Sequence, residues 1–289
     1  MAIEGLSIIG ESINASVPST EKLFEAGDFD GIQALARMQE ELGAAYIDVN
    51  VGRRPPEFMA ETVRHVQEAT SRPLSIDTPD PANAEAGLRA YNPEKAGGAL
   101  PVLNSVSPLR LEMFELYRLQ AFMPVLMITE RAEGGQSRPN HTAEEIHETA
   151  RDMIEAVRKS GQNVPNTQCI FDPGMPSIGS DMDGATETVL EALGRIHADA
   201  DLAGTHVSVG LSNFTNMLPR RKGDGSPVRS PLESAFLTLA MPVGLDMVIG
   251  SVKRKYCMLA NDDPALACLN AVFALKGPDR LMKLMEFYT

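Results

Sequence analysis

Residues 73–88 read PLSIDTPDPANAEAGL. A short apolar run, 73–77, ends on Asp77. A turn follows, and Asp80-Pro81 then opens a helix near 80–91. Asp offers a side-chain acceptor to the free amides of a first turn, and Pro is tolerated there because its missing N–H has no partner anyway. The run before Asp77 is apolar at nearly every position, as in a strand buried on both faces. The segment is therefore one β-strand and one helix with a carboxylate at the junction.

The same unit recurs along the chain. Five more apolar runs finish on polar residues: IIGESIN (8–14), YIDVNVG (46–52), PVLNSVS (101–107), CIFDPG (169–174) and SVGLSNF (208–214). The polar residues at these ends are Glu11, Asn14, Asp48, Asn50, Asp77, Asn104, Asp172 and Asn213. Strand-like runs lie near 6–10, 45–50, 73–77, 99–104, 124–128, 168–172, 206–210 and 246–250. Helical stretches follow near 28–43, 56–70, 80–91, 109–120, 142–160, 184–198, 230–241 and 263–276. Thr142 and Glu145 form a capping box ahead of Ile146, Ala150, Met153, Ile154 and Val157, which recur at helical spacing. Gly161 sits where a left-handed cap would stop that helix.

Eight strand–helix units in 289 residues, about 36 residues each, match the α/β class in its (β/α)8 TIM barrel form. An open doubly wound sheet would carry a Gly-rich phosphate turn after its first strand, and IIGESINAS has none. No linker or low-complexity stretch divides the chain, so one barrel domain over 1–289 is expected. In such a barrel all strands end on one face, and the carboxylates and amides converge there. That ring has no Cys or His, so it suits a polar heterocycle and holds no metal.

The net charge of −13, with a charged fraction of 22%, disfavours nucleic acid as a partner. No run approaches the roughly 20 apolar residues that span a bilayer, so no membrane association is expected. MAIEGLSIIG lacks a basic leader, and Cys169, Cys257 and Cys268 include no C-x-x-C pair. A reducing, cytoplasmic setting follows.

The set IGESIN, DVNVG, LSIDTPDPANAEAGL, VLNSVS, FDPG and GLSNFTN resembles the pterin-binding methyltransferases over nearly the whole chain. These are the methyltetrahydrofolate:corrinoid protein methyltransferases, related to the folate-binding part of cobalamin-dependent methionine synthase. The resemblance implies a barrel holding tetrahydrofolate or 5-methyltetrahydrofolate in its mouth. A methyl group then moves between pterin N5 and the cobalt of a corrinoid (a cobamide) supplied by a corrinoid-binding partner protein. By motif, Asp77, Asn104 and Asp172 match the pterin-binding positions, and Asn213 matches the amide beside N5. Family members of this size are commonly homodimers. Ser12 stands where the family often has Arg.

The residues can be read independently. A reduced pterin presents its 2-amino group and N3–H side by side, and a carboxylate can accept from both. Asp172 is the candidate for that contact, against the alternative of an Asp opening the Pro173-Gly174 turn. Asp80 is the better helix cap, which leaves Asp77 to the ligand. Asn104 offers a donor and an acceptor to the ring edge, or else makes an Asx turn. Asn213 is the candidate catalytic residue. Its amide oxygen can accept from a protonated N5 and its nitrogen can donate to a neutral one, so a placed dipole follows the charge change. Gly210 and Ser212 flank it and allow close approach. Glu11, Asp48 and Asn50 either brace the pterin site or form a rim network.

Arg220, Arg221, Lys222 and Arg229 follow the seventh run, and Lys253, Arg254 and Lys255 the eighth. A positive window for a glutamate tail or an acidic partner is expected there, with Arg221 named for the tail and Arg220 and Arg229 left open as alternatives. The glycines of AEGGQ (132–136) read as a mobile loop. His65, His141, His147, His197 and His206 form no metal-binding spacing. A dihydropteroate-synthase-like enzyme is the rival reading, against which stand IGESIN in place of an N-V-T-P-D-S-F segment and GLSNFTN in place of a basic S-R-K. A non-catalytic pterin-binding barrel is the other rival, disfavoured because idle buried carboxylates are costly.

Overall fold

A computed structural model describes residues 3–289 of the chain. Eight parallel strands close into a barrel: β1 (Ser7–Asn14), β2 (Tyr46–Asn50), β3 (Leu74–Asp77), β4 (Val102–Val106), β5 (Met123–Met127), β8 (Ile170–Asp172), β9 (His206–Gly210) and β10 (Met247–Gly250). Their order around the barrel is β1-β10-β9-β8-β5-β4-β3-β2. The two remaining strands, β6 (Glu130–Glu133) and β7 (Gln136–Pro139), form a separate antiparallel hairpin. The (β/α)8 TIM barrel expected from the alternation is thus the observed fold.

The connecting helices are α1 (Pro18–Ala26), α2 (Phe29–Glu41), α3 (Pro56–Ala69), α4 (Pro81–Ala90), α5 (Ala143–Lys159), α6 (Ala185–Ala198), α7 (Leu211–Phe214), α8 (Arg229–Ala240), α9 (Pro264–Phe273) and α10 (Pro278–Met285). Their starts follow local chemistry. Asp80 Oδ1 accepts from the amides of Ala82 and Asn83 at the head of α4. Thr142 and Glu145 make the reciprocal capping box of α5, and Gly161, at φ +76°, lies beyond its end.

Four segments differ from the expectation. Residues 111–118 wind as a 3-10 helix where an α-helix was expected. Residues 18–26 form α1, closed by left-handed Gly27 before Asp28 caps α2. Residues 278–285 form α10, which starts at Pro278. AEGGQ is the tip of the β6–β7 hairpin, not a bare loop. Gly134 and Gly135, at φ +59° and +77°, make its two-residue turn, a conformation that suits glycine because the turn twists with its strands.

The strand alternation sorts the core into two parts. Ile9, Val102, Val125, Ile170 and Met247 cluster inside the barrel. Ile47, Val49, Leu74, Ile76, Leu103, Leu126, Phe171, Val209 and Val248 belong to the larger cluster between barrel and helices. Most strands therefore carry apolar residues on both faces, while β3 and β9 turn the small Ser75 and Ser208 inward.

Candidate active site at the barrel mouth

Side chains alternate along a strand, so the residue two places beyond an interior one also points inward. Ile9 leads to Glu11, Ser75 to Asp77, Val102 to Asn104 and Ile170 to Asp172. The outward setting of Gly10 agrees, since a Cβ there would strike Gln39 of α2. Each inward step moves toward the strand's C-terminal end, so the polar strand ends converge over the apolar barrel interior. Register tightens the group: Asp48 is level with Ser75, Asp77 with Asn104, and Asn14 with Asn50.

Four carboxylates of this ring are raised above the ordinary range, all chiefly by burial. Asp77 stands at about 6 even though Asn50 Nδ2 donates to its Oδ2 at 2.9 Å, which favours the charged form. Asp172 also stands at about 6; the Gly174 amide donating to Oδ1 at 2.7 Å lowers it and the charge of Asp77 raises it. Asp48 is pushed well up by complete burial and then by Asp77. Ser75 beside it eases the charge, yet neither Asp48 oxygen completes a hydrogen bond. Glu11 is raised by burial, opposed by the Ser212 hydroxyl and by the charge of Arg254.

The turn and rim roles named as alternatives are both present in the structure. Asp172 does open the Pro173-Gly174 turn, but only Oδ1 is used for it. Asn50 braces the rim, accepting from the Gly52 amide while donating to Asp77. Asn14 accepts from the Ser16 amide and is spent on a turn. Asn104 is half-buried next to Asp77.

Asn213 lies on α7, the single helical turn directly after β9, and is exposed at the mouth. A Cβ on Gly210 would come within 2.8 Å of Asn213 Nδ2, so the glycine leaves the amide its place. The Ser212 hydroxyl donates to Glu11 Oε1, tying the turn to β1. Sequence reasoning missed Thr215 and Glu233 behind this turn and read Arg254 only as part of a basic cluster. The Thr215 hydroxyl and Arg254 both meet Glu233 Oε1, and Glu233 is fully buried on α8. No spacing signal marks a set drawn from three distant segments.

The basic residues are mostly engaged. Arg221 donates to the Gly225 carbonyl within its own exposed loop at 2.7 Å. Lys222 sits over the Phe287 ring, and Arg229 donates to the carbonyls of Asn216 and Leu218. Lys255 lines a flank cleft of about 450 Å3 with Ile3, Leu6, Ile8, Glu41 and Leu42. Arg220 and Lys253 are exposed. Among the described residues no group of three or more His, Cys, Asp or Glu side chains is arranged to hold a metal ion, and no helix is long and apolar enough to cross a membrane.

A family model described as pterin binding enzyme matches residues 10–250. A relative named methylcorrinoid:tetrahydrofolate methyltransferase, from Eubacterium limosum, is 30% identical over 285 residues, covering 96% of this chain and 93% of the relative. Among solved structures, dihydropteroate synthase from Xanthomonas albilineans in complex with 7,8-dihydropteroate aligns with a TM-score of 0.55 at 18% identity, over 95% of this chain and 96% of that one. Yersinia pestis dihydropteroate synthase with a pterine-sulfa conjugate aligns at 0.57 and 15% identity, over 93% of each chain. At those identities the structural likeness speaks for the barrel alone.

Proposed function

The chain belongs to the pterin-binding enzyme family, and on that premise we propose that it is a methyltransferase moving a methyl group between a corrinoid protein and N5 of tetrahydrofolate. The observation that carries this reading is the placement of an exposed amide, Asn213, on the rim of a mouth floored by buried carboxylates. The name of the Eubacterium limosum relative, methylcorrinoid:tetrahydrofolate methyltransferase, supports it.

The pterin is the substrate, and the chain's residues bind and orient it. Asp172 Oδ2 is not used by the turn and is left to accept from the pterin 2-amino group. Oδ1 keeps a second acceptor site for N3–H alongside the Gly174 amide. Asp77 and Asn104, paired across β3 and β4, read the opposite ring edge. In the transfer, the N5 lone pair forms the new bond to the methyl carbon. The carbon–cobalt bond breaks, and its electron pair stays with the cobalt. N5 becomes a protonated amine, whose N–H the Asn213 oxygen accepts before the proton leaves to water. A placed dipole that meets charge as it develops lowers the barrier without reorganising.

The test is transfer from free methylcobalamin to tetrahydrofolate, followed by the cobalt absorbance. Asn213→Ala should lower kcat by roughly 10²–10³-fold while the tetrahydrofolate Kd measured by calorimetry hardly moves, the pattern of an interaction made in the transition state. A wild-type chain that binds tetrahydrofolate but accepts no methyl from methylcobalamin or from a methylated corrinoid protein would overturn the reading.

A further inference from the structure

Asn213 stands on a helix of four residues, too short to hold itself. Its backbone is tethered by the Ile178 amide, which donates to the Phe214 carbonyl at 2.9 Å, and by the Phe214 ring, which packs 5.2 Å from Phe236 of α8. Those contacts fix where the turn sits. The residues on either side of the Asn213–Phe214 pair are held by something more specific. Ser212 donates to Glu11, and Thr215 donates to Glu233. Arg254 pairs with the same oxygen of Glu233 and approaches the Thr215 hydroxyl at 3.4 Å.

Glu233 is fully buried, and its Oε2 has no partner within the chain. A buried ion pair with one unmet oxygen is a poor stabilising device, since apolar residues of like volume usually serve better. Its geometry nevertheless has one evident product: both ends of the Asn213 turn are held by carboxylates from two other elements, β1 and α8. We propose that Glu233, oriented by Arg254, is a positioning residue that acts through Thr215 to aim the Asn213 amide, with Glu11 as its counterpart through Ser212. The proposal rests on the methyl-transfer reading for its consequence in turnover, but not for the geometry it asserts.

Thr215→Val keeps shape and burial while removing the hydroxyl. It should lower kcat about tenfold or more with the tetrahydrofolate Kd within about threefold. Thr215→Ser, which restores the hydroxyl, should return kcat to within about threefold. Glu233→Gln should follow Thr215→Val, and either change should add nothing to Asn213→Ala, because residues acting as a unit are not additive. The side-chain amide resonances of Asn213 in the 15N-labelled protein should shift or broaden in Thr215→Val and return in Thr215→Ser. Losses that multiply with that of Asn213→Ala, or unmoved Asn213 resonances, would overturn the proposal. If the wild-type chain transfers no methyl group, the functional reading falls while the resonances still decide the clasp.

Discussion

At the residue scale the site depends on small allowances as much as on functional groups. Gly210 has an ordinary negative φ of −71°, so no backbone strain calls for glycine there. What calls for it is the Asn213 nitrogen 2.8 Å from where a Cβ would be. Gly210→Ala should therefore fold and melt like the parent, since the amide can swing aside. Turnover should drop about tenfold or more, because misplacement by an ångström is costly in an oriented reaction. Thermal melting and kcat on the same sample check this, and unchanged turnover would show that the amide has slack. The ring itself was legible in the sequence because apolar strands that end on Asp, Asn or Glu have only one face on which those ends can meet. The pairings within it were not. Asn50 with Asp77 and Ser212 with Glu11 depend on register and on contacts 27 and 201 residues apart. Thr215, Glu233 and Arg254 are ordinary residues until the fold brings them together.

At the scale of elements, caps and breakers decided what could be read. Helices with a side-chain cap or Pro at the start, such as α3, α4, α5 and α9, fall within a few residues of expectation. Residues 111–118 carry helical periodicity but wind more tightly, while α6 and α8, which also lack a side-chain cap, are α-helical where expected. The α1 and α10 helices, of nine and eight residues, also start at Pro but lie outside the eight strand–helix units that were counted. The hairpin was hidden by reading two glycines as freedom when their positive φ values make a defined turn. Asp77 and Asp80 show how cap and site separate over three residues. Asp80→Ala removes the acceptor of the Ala82 and Asn83 amides and should cost about 1 kcal/mol of stability. Denaturant unfolding would measure that cost, and tetrahydrofolate affinity should be unchanged. A loss of affinity comparable to that of Asp77→Asn would mean that the two aspartates had been assigned the wrong way round.

At the scale of the whole molecule, charge is placed in tension with burial. The chain carries a net charge of −13, and four carboxylates lie at the barrel mouth with their protonation shifted upward. A carboxyl raised in the folded state contributes stability below its unfolded value, near 4. That contribution is lost as pH climbs through the folded value. For Asp77 and Asp172, both at about 6, the loss is on the order of 2–3 kcal/mol each by the conversion of pKa into free energy. His206, raised by its hydrogen bond to Asp246, also loses its contribution as pH rises. Asp181 and Asp199 are lowered, so their contributions fail only in acid, below the ordinary carboxylate range. The ligand-free protein should therefore melt highest near pH 5 and progressively lower toward pH 7.5. A pterin that donates N–H groups to Asp77 and Asp172 favours their charged forms. Tetrahydrofolate should then raise the melting temperature more at pH 7.5 than at pH 5, and its binding should release protons, seen as a buffer-dependent heat in calorimetry. Asp172→Asn should flatten both dependences by removing one titrating group. An equal ligand-induced rise at the two pH values would mean that the pterin does not rest on these carboxylates.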